Sequence, residues 1–374
     1  MDPEEFRAFW LYGSAGVGKS AIMQTIAELC HAKGLLLASF FFSRTSATRN
    51  NHSLLISTLS YQIALSSPLF KEHINFTITE DPTIFHCLLS AQLRSLVVEP
   101  LLQTHWQQDS NNPPLIVLNG LDKCSSPDDQ CCILWELVEA FQNDPLWIRV
   151  LITSQPEQCI LTAFNTGTLH QRSQCLSLDD HSLLSEAYAD IEVFLRQRFL
   201  EIKASHPLRA YIPPEWPLNS DIRLILWKFS HHFIFISTVI CFIRCPRHCL
   251  VQRLQAVCDV SVMTEETPFA ELDFLYLTIL ACAENIQPVI EILGMLIVPH
   301  SSWSSRGITP DQSISFISTF LGYTPEELRF HLMDLGSLID LDVPDSVYAH
   351  FMTLYLQHCG SIKMKPQMVG TQIQ

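Results

Sequence analysis

The chain has 374 residues, 48% of them apolar and 16% charged, which is enough for two or three well-buried domains and excludes a disordered chain. Its 23 Lys and Arg against 38 Asp and Glu leave a formal charge of −15, which argues against a general nucleic-acid binder with a basic face. The opening MDPEEFR is acidic and lacks the apolar core of an export signal, so a cytoplasmic protein with no membrane partner is expected.

The first predicted element is a short apolar strand, Phe9 to Leu11, which runs into Gly13-Ser14-Ala15-Gly16-Val17-Gly18-Lys19-Ser20. A helical pattern with apolar residues at Ile22, Ile26, Ala27 and Leu29 follows. Strand, glycine-rich loop and helix are the context in which G-x-x-x-x-G-K-[ST] acquires physical content. Gly13, Gly16 and Gly18 allow the backbone N–H groups to turn inward and approach phosphates closely. Lys19 would reach the β- and γ-phosphates of a nucleotide, the Ser20 hydroxyl would ligate Mg²⁺, and the helix N-terminus would add its positive dipole end.

Leu35 to Ser43 is a continuous apolar run, as expected of a parallel strand covered on both faces. Ser53 to Ser66 is an amphipathic helix with Leu54, Leu55, Leu59 and Ile63 on one side, and Thr83 to Thr104 is a helical region interrupted at Pro100. The turn Asn111-Asn112-Pro113-Pro114 leads into a buried strand, Leu115 to Leu118, which ends in Asn119-Gly120-Leu121-Asp122-Lys123-Cys124. A helix over Asp128 to Gln142, a strand over Arg149 to Thr153 and a fifth strand over Gln174 to Leu178 complete the alternation. This predicts an α/β fold with a doubly wound parallel sheet whose ligand lies at the strand C-termini.

Beyond Ser182 the pattern is helical: a long helix over Leu183 to Lys203, two more within Ser220 to Ile243, and further helices over Pro268 to Leu280 and Val289 to Ile297. The run FIFISTVICFI is too short to span a bilayer and reads as a buried helix. Thr309-Pro310 and Thr324-Pro325 are helix starts with Thr as N-cap and Pro at the first helical position. They open a small helical segment of winged-helix type that ends around Val347 to Cys359. The expected domains are a P-loop nucleotide-binding domain over 1–180, a helical domain over 181–265, a winged-helix-like domain over 266–360 and a loose tail over 361–374. The 13 Cys are scattered, odd in number and set in apolar patterns (Cys30, Cys87, Cys241, Cys282), as reduced core thiols are, and neither Cys131-Cys132 nor Cys245 with Cys249 has a second ligand pair at zinc spacing.

With the glycine loop, LIVLNGLDKC, VLITSQPE and WPLNSDIRLILWKFSHHFIFISTVICFI in view, the chain resembles a NACHT domain of the nephrocystin-like kind abundant in fungi, a P-loop NTPase of the STAND class. FFFSR, TLSYQIA and PFAELDFLY also occur in the family's order, so the resemblance covers nearly the whole chain. It implies a nucleotide-operated signalling switch in which ADP holds a closed form and ATP permits an open form that becomes a homo-oligomer. It also implies that His350, in Tyr348-Ala349-His350-Phe351, reaches the β-phosphate of ADP.

The departures from the family pattern concern the chemistry. Where the family has an acid at the end of the third strand this chain has Asn119, and a neutral amide gives Mg²⁺ less charge compensation. Lys123 replaces a second acid and cannot orient and deprotonate water as a carboxylate would. Asp122 is the one acid left in this motif and the candidate catalytic residue. Gln155 stands where the family has an arginine that stabilises the terminal phosphate.

Three readings remain open: a switch that binds ATP or ADP with weakened Mg²⁺ dependence and impaired hydrolysis, an active ATPase completed by a neighbouring subunit, and a remnant with a structural role only. The last is suggested by the lack of WD40, ankyrin or other repeats after the winged helix. Protein partners and the signal sensed are not encoded in any motif.

Overall fold

The computed structural model describes residues 7–44, 46, 48–103, 113–142, 148–229, 232–259, 270–297, 314–340 and 348–349. The chain divides into two compact units, Met1–Asp180 and His181–Gln374.

The first unit is built on five parallel strands: β1 (Arg7–Tyr12), β2 (Leu36–Phe41), β3 (Leu115–Asn119), β4 (Arg149–Ser154) and β5 (Ser173–Ser177), in the order β2-β3-β4-β1-β5. The chain leaves β1 for the far edge, returns through β3 and β4, and then crosses to the other side of β1, so the direction of winding reverses there. In an open parallel sheet such a reversal opens a crevice at the strand C-termini. Gly13 and Asn119 both stand at that end, with β4 between their strands.

Side chains of successive strand residues point to opposite faces, and the core follows that alternation. Ala8, Trp10, Ile116, Leu118, Val150 and Ile152 join the main cluster on one face. Val117 and Leu151 pack with Met23 on the other. Met23 lies on α1 (Lys19–Ala32), the helix that follows the glycine loop. The main face is covered by α2 (Leu55–Ser66), α3 (Pro68–Glu80), short helical turns from Ile84 to Gln103, α4 (Pro127–Gln142), α5 (Gln158–Asn165) and α6 (Gly167–Arg172). Trp10, fully buried in β1, stacks on Phe164 at 4.3 Å and donates its indole N–H to Ser154 Oγ at 2.8 Å. Both its apolar body and its polar handle are thereby satisfied.

Several details differ from the sequence expectations. On α1 the residues turned to the sheet are Met23 and Ala27, one turn apart, whereas Ile22 and Leu29 are 37% and 57% exposed. The stripe facing the strands is narrow, and those two lie on its flanks. Leu54 precedes α2 and is exposed. The segment Ile84–Gln103 is a chain of short 3₁₀, α and π turns, and Pro100 falls in the first turn of its last piece, where a missing N–H costs little. Helix α3 has no counterpart in the sequence reading. Of the cysteines expected in the core, Cys30 is half-buried and Cys87, Cys241 and Cys282 are exposed.

The second unit is helical: α7 (His181–Ser205), α8 (Asn219–Lys228), α9 (Phe233–Arg244), α10 (Leu250–Asp259), α11 (Ala270–Ala281), α12 (Ile286–Ile297), α13 (Ile314–Leu321) and α14 (Pro325–Leu332). A two-stranded antiparallel ribbon pairs β6 (Ile339–Asp340) with β7 (Tyr348–Ala349). Helix α9, the apolar run FIFISTVICFI, buries Phe235, Ile236, Val239, Phe242 and Ile243 in this unit's core. Thr324 caps α14: its Oγ1 accepts from Glu327 N at 3.2 Å while Glu327 Oε2 accepts from Thr324 N at 2.8 Å. Thr309-Pro310 and most of Val347 to Cys359 lie outside the described residues. Among the described residues no helix is long and apolar enough to cross a membrane.

Candidate functional site

The loop Gly13–Ser20 joins β1 to α1 as the sequence spacing requires. Gly16 and Gly18 have φ of 81° and 97°, a region costly for any residue with a Cβ. Gly13 is required for a different reason, because a Cβ there would stand 3.1 Å from Val17 Cγ2 and 3.3 Å from Leu178 Cβ. The Lys19 ammonium folds back onto the loop and donates to the carbonyls of Gly13 and Ser14, both at 2.7 Å. Burial lowers its pKa to about 8, against the opposing pull of Asp122 and Asp179; the charge of Lys123 acts in the same direction as burial.

Asp179, which the sequence reading did not single out, holds the loop from β5's side. Its carboxylate accepts from Ser14 N at 2.8 Å and from Ser14 Oγ at 2.9 Å. It thus occupies one of the loop's own backbone N–H groups, the groups that a phosphate would use.

A directed hydrogen-bond relay occupies the C-terminal ends of β3 and β4. Gly120 N–H is shared between the carbonyl and the hydroxyl of Thr153, at 3.0 and 2.9 Å. The Thr153 hydroxyl donates its own proton to Asn119 Oδ1, at 2.8 Å. That fixes the amide orientation, and Asn119 Nδ2 donates to Ser20 Oγ at 3.2 Å. Asn119 and Thr153 are both buried, at 2% and 0% exposure, whereas the relay's far end, Ser20, is exposed.

Asp122 is 3% exposed and turned toward the end of β4. One oxygen accepts from Gln155 N at 3.0 Å and the other from Gln155 Nε2 at 3.3 Å, with Arg44 Nη2 at 3.7 Å. Arg44 also donates to the Asp122 carbonyl at 3.0 Å and pairs with Glu157 at 3.3 Å. The one acid left in the motif and the glutamine that replaces the family's arginine are thus each other's partners. The side chain of Lys123 lies back over Gly120, whose φ is 74°: a Cβ on that glycine would meet Lys123 Cδ, Cε and Nζ at 3.0, 3.1 and 3.3 Å. Burial lowers the pKa of Lys123, opposed by Asp122 and reinforced by Arg44 and Arg49.

The groups that the sequence assigns to Mg²⁺ are engaged with other protein groups. The hydroxyl that would ligate the cation already accepts from an amide N–H, and the neighbouring amide oxygen is held by Thr153 and faces away from it. The nearest acid of the motif is committed to Gln155. His350 lies outside the described residues.

Two other clusters are explained without a ligand. Cys245, His248 and Asp334 offer ligand atoms within 4.8 Å of one another. Asp334 accepts from His248 Nε2 at 2.9 Å, Glu284 N at 3.2 Å and Arg247 Nη1 at 3.5 Å. Burial alone would push its pKa up, but these donors hold it below the usual carboxylate range, and with Arg253 also acting on it the group is already neutralised. A cavity of about 510 Å³ between α4 and α5 is lined by Cys131, Trp135, Glu157 and Cys159. Burial, then the neighbouring Cys131, pushes the Cys159 thiol up to about 11, so it is protonated at neutral pH and a poor nucleophile.

The parallel sheet and its strand–glycine loop–helix opening make the first unit an α/β core of the P-loop NTPase type, followed by a helical unit. Residues 1–155 match the family described as Nephrocystin 3, N-terminal. Among solved structures, a chain of Drosophila ORC bound to DNA is similar over 96% of this chain and 92% of that one, at 11% identity and a TM-score of 0.35. A chain of Drosophila ORC bound to poly(dA/dT) DNA and Cdc6 is similar over 79% of this chain and 49% of that one, at 10% identity and a TM-score of 0.29. No curated protein matches the sequence.

Proposed function

We propose that the first unit is a nucleotide-holding switch module of the NACHT kind, with ADP or ATP on Gly13 to Ser20 and with little hydrolysis. Its output is a change of conformation or of assembly state. Phosphates would take the loop N–H groups and draw Lys19 away from the Gly13 and Ser14 carbonyls. The observation that carries the impaired turnover is the relay that ends on Ser20, because it replaces an acid–metal pair with an amide donor. Asp122 is buried and doubly engaged by Gln155, so its part is to position the end of β4 rather than to activate water.

A switch needs unequal affinity for its two states, and a full reversal requires about 5.5 kcal/mol of preference. With a glutamine and no arginine at position 155, the terminal phosphate contributes less to that preference, which favours a chain resting in one nucleotide state. Calorimetry of ADP and ATP on the full chain and on Lys19→Ala, with phosphate release followed in the same samples, tests the reading. Binding lost in Lys19→Ala, with no turnover above that variant, supports it; turnover abolished by Lys19→Ala supports a working ATPase instead, and absence of binding rejects both.

A further inference from the structure

The charge balance at the Ser20 corner follows from three observations. A polyphosphate on a glycine loop ordinarily requires a divalent cation, since its negative oxygens repel one another and the loop donors are partial charges only. Here the hydroxyl and amide that would organise that cation are bonded to each other. At the same end of β3 stands an additional ammonium, Lys123. Among the described residues Lys123 makes no hydrogen bond and no ion pair, although Asp122 lies within electrostatic reach.

The backbone is shaped to keep this ammonium there. Gly120 adopts a left-handed conformation and has no side chain, and the Lys123 stem uses the space a Cβ would fill. The charge of Lys123 is close enough to be felt at Lys19, the lysine of the glycine loop. Two half-buried ammonium groups therefore stand at the C-terminal end of the sheet with Asp122 as the acid that acts on both, and among the described residues the one on β3's end has no hydrogen-bond partner. Such an arrangement is costly without an anion between the two cations and favourable with one.

We propose that Lys123 takes the place of the divalent cation, so that this site binds the metal-free form of a nucleoside di- or triphosphate, with Lys19 and Lys123 as its two counter-charges and Asn119 excluding Mg²⁺ from Ser20. The proposal rests on the nucleotide-holding reading above. It accounts for Asn119 and Lys123 together: removing the acid deprives the metal of its anchor, and adding the lysine restores the missing positive charge.

The test measures Kd for ADP and ATP by calorimetry in EDTA and in excess Mg²⁺, on the full chain and on Lys123→Met, Lys123→Arg and Lys19→Ala, with circular dichroism to check folding. The expected result is a wild-type Kd within about threefold in the two buffers, a loss of roughly ten- to hundredfold in EDTA for Lys123→Met, and retention of metal-free binding by Lys123→Arg. A wild-type Kd that tightens about tenfold or more with Mg²⁺ overturns the proposal, as does a folded Lys123→Met that binds like wild type. If nucleotide binds and depends on Lys19 but not on Lys123, only this proposal fails; if the wild type binds neither nucleotide, the nucleotide-holding reading fails with it.

Discussion

Asn119 Nδ2 donates to Ser20 Oγ at 3.2 Å across 99 residues of sequence, and the direction of that bond is set by the hydroxyl of Thr153. An amide flipped the other way would put its oxygen toward Ser20, where a cation could share it, and would take away the acceptor of the Thr153 hydroxyl. Thr153 thereby sets which atom of the Asn119 amide faces Ser20.

Thr153→Val keeps the shape of a fully buried residue and removes the hydroxyl. Asn119 Oδ1 loses its donor, and Gly120 N–H keeps only the Thr153 carbonyl. The expected cost is about 1–3 kcal/mol, read as a lower urea midpoint with an unchanged slope. A second expected effect is a gain in Mg²⁺ dependence of nucleotide binding, because the amide is then free to rotate.

The lowered pKa of Lys19 gives nucleotide binding a pH dependence of definite sign. Phosphates bind the ammonium form, so affinity is expected to fall by about tenfold per pH unit above pH 8, with a proton taken up on binding in that range. Calorimetry at pH 9 in two buffers of different ionisation enthalpy reads the proton directly. For stability of the ligand-free chain the sign is opposite: the folded pKa lies below the ordinary lysine value of 10.5, so the penalty of burying the ammonium is present below pH 8 and is relieved as pH rises toward 10.5.

Asp179→Asn removes a negative charge from Ser14 N–H and Oγ while keeping the shape of the contact. A phosphate then meets less repulsion at the loop, and a several-fold tighter Kd at pH 7 is expected, roughly three- to tenfold on the scale of one partly screened charge. The same change deprives Lys19 of one of the two acids that support its charge, so the fall in affinity with pH should begin earlier.

In the helical unit, Lys228 is 3% exposed and donates to the carbonyls of Val257 at 2.9 Å and Cys258 at 2.6 Å, in the last turn of α10. A cation there satisfies carbonyls that a helix end leaves without partners. Lys228→Met keeps the apolar stem and removes the donor. A loss of about 1–3 kcal/mol in this unit's unfolding transition is expected, measured by urea titration.

The α/β core was legible because its central strands β3 and β4 are covered on both faces and so appear as apolar runs, LIVL and VLIT, each followed by a polar strand end. Helix α3 was legible in principle from Ser67-Pro68, a cap followed by Pro at the first helical position, with Phe70 and Ile74 one turn apart. The mutual engagement of Asp122 and Gln155 could not be read from sequence, since each was considered against an absent ligand rather than against the other. Nor could Asp179: it meets Ser14 across 165 residues, and no local pattern marks an acid at the end of β5 as a partner of the loop.

Those sequence separations have a consequence for biosynthesis. The glycine loop and α1 leave the ribosome before the groups that define the loop's surroundings, which come from positions 119, 153 and 179. Contacts of such range are formed late, after the entropy of closing long loops has been met. On the nucleotide-holding reading, a nucleotide would act on a core already complete through β5, as a ligand that selects the finished product from its incompletely closed precursors.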